Sequence, residues 1–270
     1  MSYQIPEGVM INPCMHFKRT SPMAGLHWVL IEGVRNALKE DQGNANRVDI
    51  TIKQDEVLAC LVLVLLDDGI GLNANARWRF GNRLAYAGKD GGNGTGIRDA
   101  SLTMCQVLEC YTISQEEPNV VYYIRLPIVE WFIRLACNDW HGEWQSFSRQ
   151  SDRNPIPQGL TSGTLIRLSD FRRSHYEDPF NESRMMDTSA QITPKLAAGA
   201  IRRYLREFVE QVRLNDRKIK LGPLPGFKLW KPKPYQRDHL GKVQGHVCVA
   251  SDPQGHVLKI GGRTITVNIV

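Results

Sequence analysis

Ten consecutive apolar residues, 57–66 (VLACLVLVLL), run directly into Asp67-Asp68-Gly69-Ile70-Gly71. A strand with one wet face alternates apolar and polar residues. A run that is apolar at every position asks for burial on both faces, the environment of a central strand in a covered sheet. The run is too short to cross a bilayer as a helix, which takes about 20 residues. The preceding segment, RVDITIKQD (47–55), does alternate and suits a half-buried strand beside it. A core of this kind needs chain around it. The 270 residues, 42% apolar and 23% charged, supply one large domain, or one domain with a small appendage, and exclude wholesale disorder. Residues 1–20 carry polar and prolyl interruptions, unlike a signal peptide, so the expected location is cytoplasmic, or nuclear in a eukaryote.

The elements flanking the run decide the fold class. Ser21-Pro22 reads as a helix start, and residues 23–41 space Leu26, Val29, Leu30, Val34, Ala37 and Leu38 at helical intervals. Residues 72–95 read as a long loop with a helical piece near 74–86, ending in a glycine cluster at 88–96. Residues 97–109 read as a helix, and strand-like runs follow at 110–114, 120–126, 131–135 and 164–168. Residues 150–161 and 170–192 read as loops. Thr193-Pro194 opens a helix running to about Val212, and VRLNDRKIK (212–220) reads as a strand. The strands after the glycine cluster are not separated by helices. That order predicts an α+β two-layer sandwich with a mixed sheet rather than a doubly wound parallel fold. Gly222-Pro223-Leu224-Pro225-Gly226 marks a boundary between a domain at 1–222 and a basic, Pro-rich linker with a small β-rich extension at 223–270.

Four features carry chemistry. Glu32 and Asn36 are spaced by four on the first helix and share a face. A carboxylate there can deprotonate a water, and an amide oxygen is a hard donor suited to magnesium; the pair equally fits a solvated helix face. Asp67, at the end of the buried strand, can accept from an exocyclic amine such as adenine's, while Gly69 and Gly71 admit close backbone approach. The same residues also fit a plain Asp-Gly turn. Gly91-Gly92-Asn93-Gly94-Thr95-Gly96 stands before a helix, where converging N–H groups favour a triphosphate, although a flexible linker has the same composition. It is not a Gly-x-x-x-x-Gly-Lys-Ser/Thr loop. Finally, Ser162-Gly163-Thr164 opens the strand TLIRL and offers a hydroxyl, or simply a turn.

Taken in order, Glu-x-x-x-Asn, Asp-x-Gly-x-Gly, Gly-x-Gly-x-Gly and a later Gly-Thr resemble the GHKL ATPases, which include DNA gyrase B subunits, heat-shock chaperones, histidine kinases, MutL and MORC proteins. LIEGVRNAL, LLDDGIGL and GGNGTGIRDASL carry the likeness, which spans roughly 24–219. The Asp-Asp-Gly-x-Gly form and the Gly-Asn-Gly resemble the MORC-like branch. The resemblance implies a Bergerat ATP-binding fold, a mixed sheet with helices on one face, and Mg-dependent ATP hydrolysis with lid closure and a nucleotide-dependent homodimer. It implies that Glu32 is the general base, Asn36 the magnesium ligand, and Asp67 the adenine-binding residue, with Gly69 and Gly71 shaping the pocket. Residues 72–95 become the ATP lid. Gly92, Asn93, Gly94, Thr95, Gly96 and Ile97 meet the phosphates, and Thr164 supports the adenine end. Departures are Ala37-Leu38-Lys39 after the asparagine, and Ile97-Arg98 where MORC proteins carry Phe-Lys; Arg98 suits a phosphate contact or a solvent-facing position. Lys231, Lys233, Lys242 and Lys259 are the candidates for a γ-phosphate lysine, and too little chain follows residue 222 for a complete transducer domain.

The charge is uneven. Residues 195–242 hold 13 Lys or Arg against four acids, +9 of a total of +6, which leaves −3 for the rest. Tyr204, Phe227, Trp230 and Tyr235 are interleaved. The segment fits a nucleic-acid backbone contact, or a solvated helix face with a basic linker. The six cysteines form no Cys-x-x-Cys pair and read as reduced packing residues; Cys14-x-His16 and His246-x-Cys248 are isolated and suggest no metal site. Two other functions share these motifs. One is a kinase of the histidine-kinase or anti-sigma type, for which no phosphoacceptor helix pair precedes residue 24. The other is a non-catalytic nucleotide sensor, against which stands the presence of both Glu32 and Asn36.

Overall fold

The computed structural model describes residues 25–39, 43–57, 59–81, 96–127, 143–173 and 185–220, and the backbone of 227–229, 248–250, 257–260 and 263–266. The helix start expected at Ser21-Pro22 and the strand expected at 131–135 lie outside these. The chain forms two compact units, residues 1–220 and 221–270.

In the first unit, α1 (Leu26–Leu38) leads to β1 (Val48–Asp55) and β2 (Cys60–Asp67), then α2 (Ala74–Gly81) and α3 (Gly96–Leu102). Strands β3 (Val107–Ile113), β4 (Val120–Pro127), β5 (Gln145–Ser148) and β6 (Gly163–Ser169) follow, with a short ribbon of β7 (Arg172–Arg173) and β8 (Met186–Asp187). Helix α4 (Pro194–Tyr204) and a 3-10 turn (Arg206–Gln211) precede β9 (Val212–Leu214) and β10 (Arg217–Lys218). Eight strands make one sheet in the order β10-β9-β1-β2-β6-β3-β4-β5. The β1–β9 pair is parallel and the other pairs are antiparallel, so the sheet is mixed. The fold is the expected α+β sandwich. In the second unit, β11 (Phe227–Leu229) pairs with β12 (Cys248–Ala250), and β13 (Val257–Ile260) with β14 (Arg263–Thr266).

The alternation of side chains along each strand assigns the two faces. Val48, Ile50, Ile52, Leu63, Leu65, Leu108, Cys110, Ile124, Leu126 and Leu168 point one way and form one core with α1, α3 and α4. Tyr111, Ile113, Val121 and Leu165 point the other way, where Ile156 and Leu160 of the 149–162 loop cover them. On that second face Glu109 accepts from Arg167 Nε at 2.6 Å and from the Tyr123 hydroxyl at 2.8 Å, so its buried carboxylate is answered twice.

Three elements differ from the sequence reading. The apolar run does not begin the strand: Asp55 pairs with Cys60, and Val57 is 93% exposed in the intervening reversal. Asp55 Oδ1 accepts from Val57 N at 3.0 Å, and Ala59 turns with φ 50°, so hairpin geometry overrides hydropathy there. Residues 107–109, expected at the end of a helix, begin β3. Ser101 Oγ and Thr103 Oγ1 each donate to a backbone carbonyl at 2.6 Å as α3 ends, and the strand gains partners on both sides. Helix α4 starts as expected, with Thr193 accepting from Leu196 N at 3.2 Å and Pro194 next, but its α-turns stop at Tyr204. Its buried residues recur every fourth position (Ala197, Ile201, Leu205, Val209), a spacing that drifts about 40° per step around an α-helix. The 3-10 turn brings Val209 back to the core, and 212–220 becomes a tight hairpin rather than one strand.

The run therefore holds both a free and a committed end. Val57→Asp is expected to leave stability within about 0.5 kcal/mol, whereas Leu63→Ala, in a fully buried site, costs about 2–5 kcal/mol. Urea denaturation of both variants checks this; equal losses would contradict the assignment of the strand start.

Candidate functional site

Helix α1 reaches the sheet through a glycine. A Cβ on Gly33 would lie 2.5 Å from Leu65 Cδ2 and 3.7 Å from Ile97 Cδ1, so a larger residue would displace Leu65 where α1, β2 and α3 meet. One residue earlier, Glu32 is partly buried, with its carboxylate packed on the Cα of Gly96, where a Cβ would stand 2.0 Å from Oε2. The sequence separates these residues by the whole of β1, β2 and α2, and the fold joins them: the candidate base lies at the first residue of α3. Ile97, the next residue, is buried in the core. Asn36, one turn after Glu32, is exposed.

The end of β2 is more elaborate. Asp67 Oδ1 accepts from Gly69 N at 2.9 Å and from Thr164 N of the neighbouring β6 at 3.2 Å. Among the described residues no donor reaches Oδ2. Thr164 Oγ1 lies 3.3 Å from Thr112 Oγ1, which accepts from Leu72 N at 2.8 Å and donates to Gly163 O at 3.1 Å. Asp67, Gly69, Gly71 and Thr164 thus form one cluster. Gly71 has φ 69°, and a Cβ there would stand 2.0 Å from Ile113 O, so the chain passes directly over the end of β3. Gly163, at φ 146°, lies as tightly on Asp67 O. Ser162 Oγ donates to Gly69 O at 2.7 Å and ties the two turns together.

Burial raises the Asp67 carboxyl from 3.8 to about 6, against the lowering effect of its two backbone donors. The Cys110 thiol nearby is pushed well above its usual range by burial, then by the Asp67 charge. Asp68 is a different carboxylate despite its adjacency. Its Oδ1 accepts from Asn46 N and Arg47 N, both at 2.8 Å, and holds the loop before β1.

That loop links the two ends of the site, and sequence reasoning missed it. Gly43 O accepts from Ile70 N at 2.9 Å, while a Cβ on Gly43 would stand 2.3 Å from Ala37 O and 2.7 Å from Asn36 O. Gly43 therefore wedges between the end of α1 and the Asp67–Gly71 turn. The signal available was its place in a Gly-Asn turn. Thr112 was missed as well, being one threonine inside an ordinary strand pattern.

Arg98 is fully buried and donates from Nη1 to Phe80 O at 2.8 Å, so of its two expected positions, at a phosphate or facing solvent, the solvent-facing one does not hold. It joins α3 to the end of α2. The start of the expected lid is anchored too: Arg77 Nη1 donates to Leu72 O at 3.0 Å, its guanidinium stacks 3.4 Å from the Tyr122 ring centroid, and Trp144 Nε1 donates to Arg77 O at 2.9 Å. Gly92, Asn93, Gly94 and Thr95, with the rest of 82–95, lie outside the described residues, as do Lys231, Lys233 and Lys242. Among the described residues no helix is long and apolar enough to cross a membrane.

No family model matches the chain, and no curated protein matches it. Among solved structures it is similar to one described as the N-terminal domain of a DNA repair protein, at 14% identity and a TM-score of 0.44. The match covers 73% of this chain and spans half of that one.

The raised Asp67 value has a definite sign. The folded state holds this proton more tightly than the unfolded chain, so its contribution is full below 3.8 and is lost as pH rises through about 6. Asp67→Asn keeps an oxygen for Gly69 N and Thr164 N without the charge. Its stability relative to wild type is expected to rise between about pH 4 and pH 7, by an amount on the order of 2 kcal/mol. Urea midpoints of both proteins across that interval measure it, and a pH-independent difference would contradict it.

Proposed function

We propose that the chain binds ATP with magnesium and hydrolyses it. The observation that carries this reading is the Asp67 cluster: a carboxyl whose Oδ1 is fixed by two backbone donors at 2.9 and 3.2 Å, with no donor on Oδ2 among the described residues. Such a group is oriented to accept from the exocyclic amine of adenine. Guanine presents an oxygen at the same position, and two acceptors would repel. Its half-buried position strengthens the discrimination, because a mismatched acceptor facing the carboxylate shuts out the water that would otherwise answer it.

A second carboxylate supports the hydrolytic part. Glu32 contacts the first residue of α3, and the four residues before that helix, Gly92-Asn93-Gly94-Thr95, have the composition of an anion cradle. A water between Glu32 and a γ-phosphate held there would lose its proton to the Glu32 carboxylate. Asn36, exposed one turn further on, has a hard oxygen free to meet a cation from the solvent side. Among the described residues there is no cluster of three or more His, Cys, Asp or Glu that could hold a metal. A single amide oxygen such as that of Asn36 suits magnesium, which takes few protein ligands and fills its shell with phosphate oxygens and waters. When bound, magnesium would neutralise phosphate charge. The GHKL resemblance extends the reading to closure of 72–95 over the nucleotide and to a nucleotide-dependent homodimer.

Two variants separate binding from chemistry. Glu32→Ala is expected to lower ATP turnover by about 100-fold or more while ATP still binds, the loss of a general base. Asp67→Ala is expected to lose ATP binding itself. Turnover by phosphate release and affinity by calorimetry read the two outcomes. Unchanged hydrolysis in Glu32→Ala would remove Glu32 from the mechanism.

A further inference from the structure

At the β10 edge of the sheet, the chain between α4 and the β9–β10 hairpin encloses an open groove of about 570 Å³. Its floor includes Ala198 and Ile219, and its rim carries Arg202, Arg217, Lys218 and Lys220, with no acid in the lining. The walls are fixed. Asn215 N donates to Ile50 O at 2.8 Å, Asn215 Oδ1 accepts from Ile52 N at 2.8 Å, and its Nδ2 donates to Ile52 O at 3.2 Å, so the hairpin is anchored on β1. Asn215 and Asp216 both have positive φ, 47° and 63°, which makes the tight reversal that aims Arg217 and Lys218 outward. On the opposite wall, Arg202 Nε donates to Lys220 O at 3.0 Å and holds the chain after β10 against α4.

Arg217, Lys218 and Lys220 are exposed, and residues 195–220 carry eight basic side chains against three acids, 8 − 3 = +5 of the chain's +6. Of those acids, Glu207 already meets Arg35 at 3.6 Å. The row from 217 to 220 extends on the order of 10 Å along near-extended chain, longer than a single phosphate. A repeating anion fits such a row better than an isolated one.

We propose that this groove binds the phosphodiester backbone of a nucleic acid, independently of the nucleotide site. The cations neutralise successive phosphates, and the apolar floor receives sugar or base edges. Arg202 braces the wall and is left intact in the test. Fluorescently labelled DNA and RNA 30-mers are titrated, without ATP, into the full wild-type chain and into two triple variants, R217E/K218E/K220E and R217Q/K218Q/K220Q, at several salt concentrations. Melting temperature and ATP affinity serve as controls of folding.

Wild type is expected to bind with a salt slope. The glutamine variant is expected to lose about tenfold or more in affinity and to flatten that slope by about 0.7–0.9 for each cation removed. The glutamate variant should bind more weakly still, with melting and ATP affinity retained in both. A preference for DNA or for RNA identifies the source of the backbone. No binding by wild type at low salt would overturn the proposal, and so would unchanged affinity and slope in both variants. A polyglutamate of equal charge bound as tightly as the oligonucleotides would overturn it in favour of an acidic protein partner.

Discussion

The candidate site is organised by one half-buried carboxyl. Asp67 Oδ1 takes one hydrogen bond from its own turn, at Gly69, and one from the next strand, at Thr164. Each bond to a charged acceptor contributes about 1.5–3 kcal/mol, and removing the acceptor would leave two backbone donors short of a partner in a place water reaches poorly. The turn can close this tightly only because its neighbours lack side chains. Gly71 lies on the end of β3 and Gly163 on the backbone of Asp67 itself. Gly43 then connects that turn to the last turn of α1. The same contacts that set the carboxyl also set where α1, and with it Glu32, can lie.

The layer architecture was legible in the sequence because it rests on local periodicity. The helical spacing of Leu26, Val29, Leu30 and Val34, the continuous apolar run ahead of Asp67 and the expectation of a mixed sheet all correspond to what the fold contains. Boundaries were less legible, since tertiary pairing decides them. Val57 is as apolar as Val62, but one is in a reversal and the other is in the sheet. Residues 107–109 fit a helix until strands on both sides claim them.

Within the site, a residue was legible when its type is unusual for its place: a carboxylate at the end of a buried strand, or glycines in close succession. Thr112, Gly43 and Asp68 act through partners distant in sequence; nothing marks Thr112 locally, and a Gly-Asn turn and an Asp-Asp pair do not by themselves show what Gly43 and Asp68 hold. Arg98 is the sharpest difference. A cation beside a glycine cluster suggested solvent or phosphate, whereas its side chain is wholly enclosed and reaches the Phe80 carbonyl. Charge was legible only in bulk. The basic excess of 195–242 was evident, but that Arg202, Arg217, Lys218 and Lys220 line one groove needed the hairpin that Asn215 pins to β1.

The proposed ATP binding requires that Asp67 be an acceptor for adenine rather than only a strand-end brace. Calorimetric titration of ATP and GTP, each with magnesium, into the wild-type protein at about pH 5 and about pH 7.5 tests this most directly. The carboxylate must be ionised to accept, and its value lies at about 6, so ATP affinity should strengthen with rising pH while GTP stays unbound at about pH 7.5. Equal affinity for the two nucleotides, or ATP binding that ignores pH across this interval, would contradict it.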